Sequence, residues 1–339
     1  MYKLIRNFLF LFDAEFIHEF SVKSIKIFGK IPFFNLFIRE VFHLKTDNLK
    51  VKLFGLEFKN PVGLAAGFDK NAEFYKEFSN FGFGFIEIGT VTPQPQPGNP
   101  KKRIFRLEED NSLINRLGFN NKGLIEVNKN LSKKRDIIIG ANIGKNFFTE
   151  NENAHKDYLK CLETLHDNVD YFAINISSPN TKGLREFHGK NLLKPLLEKL
   201  INFNNSKVNP KPMLLKISPD LNIAQLDDII SLMLELKIHG VIATNTTISR
   251  NGVKSNYKNE AGGLSGELLK DKSNYVIKYL REKLGNDFPI VGVGGIMSKE
   301  DAIDKIKAGA NLIQLYTGFI YEGPELIKNI NKAILNQSS

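Results

Sequence analysis

Eight short apolar segments, each followed by a stretch with helical periodicity, predict an α/β fold, a TIM (β/α)8 barrel, for residues 46–339. The segments are continuously apolar rather than alternating, as expected of parallel strands that are covered on both faces. Eight strand–helix units in this length fit a closed barrel better than an open doubly wound sheet. Strands are expected at Pro61–Leu64, Phe85–Gly89, Ile137–Asn142, Tyr171–Ile176, Met213–Ile217, Gly240–Ala243, Ile290–Val293 and Leu312–Leu315.

Two of the intervening helices have recognisable starts. Asp220 and Asn222 precede an apolar face that runs from Gln225 to Leu236. Ser298, with Asp301 three residues later, resembles a capping box.

Residues 1–45 are expected to form an N-terminal amphipathic helical extension, because phenylalanines recur every four residues from Phe8 to Phe20. Acidic residues interrupt this pattern, so no apolar run reaches the roughly 20 residues that a membrane span needs. We expect two or three short helices, broken near Gly29 and Pro32. Two interpretations remain open at this point. The helices either cover the barrel core or lie on an anionic membrane surface.

The composition is that of a globular protein, with 42% hydrophobic and 25% charged residues in 339. A single cysteine, Cys161, excludes a disulfide framework and a cysteine-rich metal site, and it favours a reducing compartment. The histidines show no metal-binding spacing, so we expect no metal. The net charge of +10 is compatible with nucleic acid, a membrane or small anions. The basic block Lys133-Lys134-Arg135 is short and suggests a solvated helix end, so we expect no nucleic-acid partner.

In a TIM barrel the active site lies at the carboxyl ends of the strands, and here those ends carry polar, glycine or cationic residues. The fourth end runs from Asn175 to Thr181 and places Ser178 among carboxamides, which can donate and accept hydrogen bonds. Alone, this segment would suggest only a polar turn. Its repetition at the other strand ends favours a ligand site. Those ends contribute Ala65 to Lys70, Thr90, Asn142, Gly144, Lys216, Thr244 to Thr247, Gly292 to Gly295, and Tyr316 to Gly318.

The last two strand ends and Lys216 indicate a flavin mononucleotide. Loops after strands seven and eight often bind phosphate in this fold, and Gly294-Gly295 and Thr317-Gly318 would let backbone N–H groups approach it. Lys216 could stabilise a reduced, anionic flavin at the N1–C2 carbonyl edge. It could instead form a salt bridge inside the barrel. Either way, a buried lysine requires a counter-charge.

Seven motifs in this order resemble those of dihydroorotate dehydrogenase, and the resemblance runs from the extension to the last helix. The extension, and serine at position 178 where class 1 enzymes have cysteine, resemble class 2, the quinone-dependent, membrane-associated branch. The motifs are Ala66-Gly67-Phe68-Asp69-Lys70, Ile88-Gly89-Thr90-Val91-Thr92, Asn115 to Asn121, Asn175 to Thr181, Ala243 to Thr247, Gly262 to Gly266, and Gly292 to Ile296.

This resemblance implies that the protein oxidises (S)-dihydroorotate to orotate through one FMN per chain, with a membrane quinone as electron acceptor, in de novo pyrimidine (UMP) biosynthesis. Ser178 would remove the C5 proton while hydride leaves C6 for flavin N5, and Thr181 and Phe119 would position a water relay. Orotate would contact Lys70, Asn115, Arg116, Leu117, Gly118, Phe119, Asn175, Asn180, Asn245 and Thr246. FMN would contact Ala66, Gly67, Phe68, Asp69, Lys70, Thr90, Asn142, Asn175, Lys216, Thr244, Gly266, Gly295, Tyr316 and Thr317.

The resemblance also implies a quinone route lined by His18 and Arg106, and it favours membrane contact by the extension. The segment from Lys182 to Gly189 would be a lid with glycine hinges. We find no mitochondrial presequence, so we expect a peripheral enzyme on the cytoplasmic face of the bacterial inner (cell) membrane. At position 317 the family most often has serine, and threonine retains the hydroxyl.

Two alternatives belong to other functional classes. A tRNA dihydrouridine synthase is also a flavin barrel, but it needs a cysteine acid near the flavin, and Cys161 lies before strand four. A non-catalytic membrane or ligand-binding barrel would lack flavin and would be colourless when purified.

Overall fold

The structure is a computed structural model that describes residues 2–131 and 135–337. Its strands are β1 (Val51–Leu53), β2 (Leu56–Phe58), β3 (Val62–Leu64), β4 (Phe85–Val91), β5 (Ile104–Leu107), β6 (Ser112–Asn115), β7 (Ile138–Ile143), β8 (Tyr171–Asn175), β9 (Met213–Ile217), β10 (Gly240–Ala243), β11 (Gly263–Gly266), β12 (Ile290–Val293) and β13 (Leu312–Leu315). Its α-helices are α1 (Tyr2–Leu9), α2 (Ala14–Phe28), α3 (Pro32–Phe42), α4 (Tyr75–Ser79), α5 (Leu124–Asn130), α6 (Ala154–Leu165), α7 (Lys190–Asn205), α8 (Ile223–Glu235), α9 (Lys270–Leu284), α10 (Lys299–Lys307), α11 (Thr317–Glu322) and α12 (Glu325–Gln337).

Eight parallel strands close into a barrel in the order β3-β4-β7-β8-β9-β10-β12-β13, so the predicted TIM barrel is confirmed. The strands are those expected from the apolar segments. The largest difference is in β4, which continues to Val91 rather than ending at Gly89. The barrel strands are almost wholly buried, which explains why their sequences are continuously apolar.

The register of the barrel brings the strand ends to one level. Asn175 at the end of β8 pairs with Lys216 of β9, and Ala243 at the end of β10 pairs with Gly292 of β12. Residues that follow these strands in sequence are therefore neighbours around one rim.

Both predicted helix starts are confirmed as capping boxes. The Asn222 side chain accepts a hydrogen bond from the backbone N–H of Gln225, whose side chain bonds back to residue 222. Ser298 and Asp301 make the same exchange at the start of α10. Each satisfies backbone donors that the first helical turn leaves free.

Two small sheets were not predicted. The β1–β2 hairpin precedes the barrel, and Phe58 of this hairpin packs on Phe85, the first residue of β4. The antiparallel sheet β11-β6-β5 joins a hairpin inserted after β4 to a strand inserted after β10. Its register places Asn115 opposite Gly263.

The extension forms three helices, α1 to α3, with the breaks near Gly29 and Pro32 that the sequence predicts. It contacts the barrel domain through polar bonds. The Tyr2 hydroxyl donates to the carbonyl of Ile320 at 2.6 Å, and a ring nitrogen of His43 lies 3.0 Å from the carbonyl oxygen of Ser79. It also leaves a large apolar surface exposed, made by Leu4, Ile5, Phe8, Leu11, Phe12, Phe16, Phe20, Ile27, Phe28, Ile31, Phe33, Leu36, Phe37 and Val41.

Within the described residues, every helix is too short or too polar to cross a membrane. Of the basic block, Lys133 and Lys134 lie outside the described residues. Arg135 is not solvated as expected: its side chain is 10% exposed and donates to the Asp170 carboxylate at 2.9 Å.

Candidate functional site

A cavity opens at the carboxyl end of the barrel and collects most of the residues singled out from the sequence. Five barrel strands (β4, β8, β9, β12 and β13), the segments after β3 and β10, and strands β6 and β11 contribute to its wall. The expected site residues that line it are Ala66, Gly67, Lys70, Thr90, Asn115, Leu117, Gly118, Phe119, Asn175, Ser178, Asn180, Lys216, Thr244, Asn245, Thr246, Gly266, Gly295, Tyr316 and Thr317.

Four of the expected residues stand outside this wall. The Arg116 side chain forms an ion pair with Glu260 and lies over the ring of Phe105. The Phe68 ring belongs to a neighbouring cavity. Asp69 accepts hydrogen bonds from two backbone N–H groups of the turn after β3, and burial raises the pKa of Asp69 to about 6 despite those bonds. Asn142 lies directly behind the wall.

Asn142 positions two residues of the wall. Its side-chain oxygen accepts hydrogen bonds from the Thr90 hydroxyl at 2.5 Å and from the Asn175 amide at 3.0 Å. The Asn175 amide also donates to the Thr90 hydroxyl at 3.0 Å. All three side chains are buried, so the strand ends of β4, β7 and β8 present a fixed polar surface to the cavity.

The carboxylate of Glu87 is the counter-charge that buried Lys216 requires. Glu87 is fully buried in β4 and accepts from the Lys216 ammonium at 2.9 Å. It also accepts from the Asn142 and Gln314 amides, at 2.8 and 2.7 Å. Glu87 was not predicted from the sequence. A charged residue within an apolar strand is the signal that would have found it, and the same signal did identify Lys216.

Ser178 has no acidic or basic partner among the described residues. Its hydroxyl oxygen accepts a hydrogen bond from the backbone N–H of Asn180 at 3.2 Å. The hydroxyl of Thr181 is buried and unpartnered within the described part of the chain. Two polar groups near the cavity therefore remain able to bond to a ligand or to water.

The cavity wall also contains unpartnered polar atoms. The Thr244 hydroxyl and the Gln314 carbonyl oxygen are buried, and neither has a hydrogen-bond partner in the described residues. Buried polar groups are normally paired, so these two atoms fit a polar ligand.

The glycines after β12 and β13 form a close-packed cradle. A Cβ on Gly295 would lie 2.2 Å from Cα of Lys270, and one on Gly318 would lie 2.0 Å from the carbonyl oxygen of Ile296. The Thr317 hydroxyl beside them donates to Ser265 Oγ at 2.9 Å. These glycines therefore let the backbone of Lys270 and of Ile296 pack closer than any side chain would allow.

Lys70 lies between this cavity and a second one. Its ammonium donates to the carbonyl of Gly67 at 2.8 Å. Burial lowers the pKa of Lys70 to about 8, and the positive charge of Arg103 adds to that effect. Five residues line both cavities: Lys70, Asn115, Leu117, Ser265 and Tyr316.

The second cavity has a volume of about 840 Å³ and lies between the extension and the barrel. Its wall is mainly apolar and includes His18 and Arg106. The His18 ring meets the Phe68 ring edge-on at 5.0 Å, and burial lowers the pKa of His18 to about 4. Arg106 lies over the Phe10 ring at 4.7 Å and donates to the carbonyls of Leu9 and Phe12. The two residues expected along the quinone route thus share this space.

The segment expected to be a lid is anchored to the rim in this structure. Arg185 donates to the carbonyls of Ser177 and Thr246, each at 3.2 Å, and to the Asp220 carboxylate at 2.9 Å. Gly183 has a φ of +71°, as a hinge glycine would, whereas Gly189 has an ordinary extended φ of −81°.

Comparison with known proteins identifies the family. The model of the dihydroorotate dehydrogenase family matches residues 48–337. The chain belongs to the dihydroorotate dehydrogenase family. One relative, dihydroorotate dehydrogenase (quinone) of Christiangramia forsetii, is 57% identical over 338 residues, which cover 99% of each chain. The protein of the same name from Pseudoalteromonas translucida is 45% identical, over 97% of this chain and 98% of that one.

A solved structure of ligand-free DHODH from Eimeria tenella superposes with a TM-score of 0.88 at 37% identity, over 96% of each chain. The resemblance found in the motifs is therefore confirmed, including the quinone-dependent branch. Dihydroorotate dehydrogenase membership also sets aside the tRNA dihydrouridine synthase alternative. In agreement, Cys161 is buried against the carbonyl of Val91 and does not line the cavity.

No group of three or more His, Cys, Asp and Glu side chains in the described residues could hold a metal ion.

Proposed function

We propose that this dihydroorotate dehydrogenase oxidises (S)-dihydroorotate to orotate with a quinone as electron acceptor, in the de novo synthesis of UMP. The family match and the names of the relatives support the reaction. The assignment of residues rests on the cavity, whose wall includes Lys70, Ser178, Lys216 and Gly295.

We propose FMN, one per chain, as the cofactor in this cavity. When bound, FMN accepts the two electrons that leave the substrate and passes them to the quinone. The residues fit this group. The Thr244 hydroxyl is unpartnered, the Lys216 ammonium lines the wall, and the cradle at Gly295 and Thr317 gives a phosphate access to backbone N–H groups. The remaining residues proposed to hold FMN are Ala66, Gly67, Lys70, Thr90, Asn175, Gly266 and Tyr316, with Phe68, Asp69 and Asn142 supporting them from behind.

Orotate has a carboxylate and two amide edges, and the cavity offers complementary groups. Asn115, Asn175, Asn180 and Asn245 can donate and accept at once, as amide edges require, and Thr246 adds a hydroxyl. Lys70 supplies a cation for the carboxylate. Hydrogen bonds pre-position these amides: Asn180 Nδ2 donates to the carbonyl of Asn115 at 3.0 Å.

Leu117, Gly118 and Phe119 complete the orotate-binding wall. We revise the role of Arg116, because its guanidinium is bound to Glu260 on another side. Its backbone carbonyl instead accepts from the amide of Asn99 at 2.9 Å.

Ser178 is proposed as the base that removes the C5 proton of the substrate. A serine hydroxyl is a weak base, so the proton must pass onward as it is taken. The unpartnered Thr181 hydroxyl is suited to hold a water that receives this proton, and Phe119 would limit the space that the water can occupy.

The second cavity is the proposed quinone route, with His18 and Arg106 along it. Lys70 and Tyr316 separate it from the first cavity, so a quinone bound there would lie close to the cofactor. We propose residues 1–45 as the quinone-access and membrane-contact extension and residues 46–339 as the catalytic domain. The exposed apolar surface of the extension supports peripheral attachment to an anionic membrane, on the cytoplasmic face of the bacterial inner membrane.

Anaerobic mixing of the purified protein with dihydroorotate tests this function. The yellow flavin absorbance should bleach on mixing and return when a soluble quinone analogue is added. A protein that contains no flavin, or whose flavin is not bleached, would contradict the proposed reaction. Bleaching without recovery would contradict the proposed acceptor.

A further inference from the structure

The extension contributes a buried carboxylate to the barrel domain. Glu15 of α2 accepts hydrogen bonds from Arg103: Nη2 donates to Oε1 at 2.6 Å, and Nε donates to Oε2 at 3.1 Å and to Oε1 at 3.2 Å. The Arg103 and Glu15 side chains are 7% and 10% exposed. Burial alone would raise the pKa of Glu15, but the hydrogen bonds and charge of Arg103, with a smaller contribution from Lys101 at 3.6 Å, hold it below its ordinary value. Glu15 is therefore a carboxylate that Arg103 requires.

Arg103 also forms hydrogen bonds with the loop before β5. Its Nη1 donates to the carbonyls of Pro97 and Asn99, at 2.7 and 2.8 Å. A Cβ on Gly98 would lie 2.9 Å from Nη1, so the backbone closes tightly around the guanidinium. The position of residues 97–99 thus depends on where Glu15 holds Arg103.

Asn99 connects this loop to both segments proposed to bind orotate. Its backbone N–H donates to the carbonyl of Leu117 at 3.0 Å. Its side-chain amide donates to the carbonyls of Arg116 at 2.9 Å and Asn180 at 3.3 Å. A Cβ on Gly118 would lie 2.8 Å from this side chain, so the two segments are in direct contact.

Charge provides a second link to the substrate site. After burial, the charge of Arg103 is the largest influence that lowers the pKa of Lys70, and Glu15 opposes it. The charged and titratable groups that influence or face Lys70 are Glu15, His18 and Glu19 from α2, Arg103 from the barrel side, and Asp69 from its own turn. Loss of the Glu15 charge would leave Arg103 uncompensated and would make the Lys70 ammonium less stable.

We propose that Glu15 is a positioning residue for orotate, acting through Arg103 and Asn99. The extension then serves the substrate half of the reaction as well as the quinone half. This inference rests on the proposed function.

Full-length Glu15→Gln holoenzyme, compared with wild type, tests the proposal. Orotate binding is measured by titration calorimetry between pH 6.5 and pH 9.5. We expect the dissociation constant to rise about tenfold near pH 8. As the pH rises, orotate affinity should begin to decline at a lower pH in the variant than in wild type. Orotate binds the ammonium form of Lys70, and loss of the Glu15 charge lowers the pKa of that ammonium. FMN content should not change. Glu15 also lines the second cavity, so the rate at which quinone reoxidises the pre-reduced enzyme should fall by a smaller factor than orotate affinity does.

The matched control is Glu40→Gln, which removes an exposed carboxylate from α3 of the same extension and should bind orotate as wild type does. Glu15→Asp should restore part of the affinity. If Glu15→Gln does not fold, Asn99→Ala removes the link to residue 180 and leaves the buried ion pair intact. That variant should also bind orotate more weakly.

Wild-type affinity in Glu15→Gln at every pH would overturn the proposal. An equal loss of orotate binding, FMN content and quinone reoxidation would also overturn it, because Glu15 would then only hold the extension to the barrel domain. If wild type itself fails to bind orotate, the proposed function is wrong, and the two failures are thereby distinguished.

Discussion

At the residue scale, Glu87 and Lys216 form a buried ion pair inside the barrel. Both are buried in the barrel, and four donors converge on the carboxylate. Removing one member of a buried ion pair leaves an uncompensated charge. Glu87→Gln should therefore lower the free energy of unfolding by about 3 kcal/mol, measured by urea denaturation.

A double variant, Glu87→Gln with Lys216→Met, provides the control for this prediction. It removes both charges and should recover part of the lost stability, so the two changes should not be additive. Additive losses would show that the two side chains do not interact.

Ser178 gives a prediction about chemistry rather than stability. Ser178→Ala should retain FMN and orotate binding, because the neighbouring amides and glycines remain. The rate of flavin reduction by dihydroorotate should fall about 10²- to 10⁴-fold, the usual contribution of a general base. Stopped-flow absorbance under anaerobic conditions measures this rate. An unchanged rate would exclude Ser178 as the base.

At the residue scale, local sequence patterns predicted residues that the structure brings to one cavity. Polar residues after apolar strands led to Ser178, Thr244 and their neighbours. Such patterns could not find Glu15 and Arg103, because 88 positions separate them and either charge alone resembles an ordinary surface residue. Their pairing becomes evident only from burial.

At the scale of elements, the segment from Lys182 to Gly189 is held to the rim by Arg185. This guanidinium bridges the carbonyls of Ser177 and Thr246, which belong to two different strand ends. Arg185→Leu should therefore displace the loop that carries Ser178.

We expect Arg185→Leu to lower kcat about 10- to 100-fold without changing FMN content, because small displacements near reacting atoms have effects of this size. Steady-state turnover with a soluble quinone measures it. Lys182→Gln alters an exposed cation of the same segment and should have wild-type kcat. Equal kcat in both variants would refute a positioning role for Arg185.

The elements themselves were predictable to different degrees. Barrel strands and the capping boxes at Asn222 and Ser298 follow from local patterns. The β11-β6-β5 sheet does not, because its strands are short, and β11, which contains glycine and serine, pairs with β6 across about 150 positions. Tertiary pairing, rather than propensity, determines such strands.

At the scale of the whole molecule, the apolar surface of the extension should direct the protein to membranes. Replacing Leu4, Phe33 and Phe37 with serine should reduce cosedimentation with anionic phospholipid vesicles, because it removes apolar area from an exposed surface. Flavin reduction should be unaffected.

The matched control replaces Ile125 and Phe148 with serine. They are 84% and 85% exposed but lie outside the extension, so vesicle binding should not change. Equal losses in both variants would indicate nonspecific adsorption rather than a membrane-binding extension.

The docking of α1 has a consequence for the order of events during synthesis. Tyr2, Lys3 and Arg6 bond to residues 320–322, near the opposite end of the chain. The ribosome must therefore translate residues 320–322 before α1 has its site. Until then the nascent chain exposes an apolar N-terminal segment, which is free to bind lipid or a chaperone before the fold is complete.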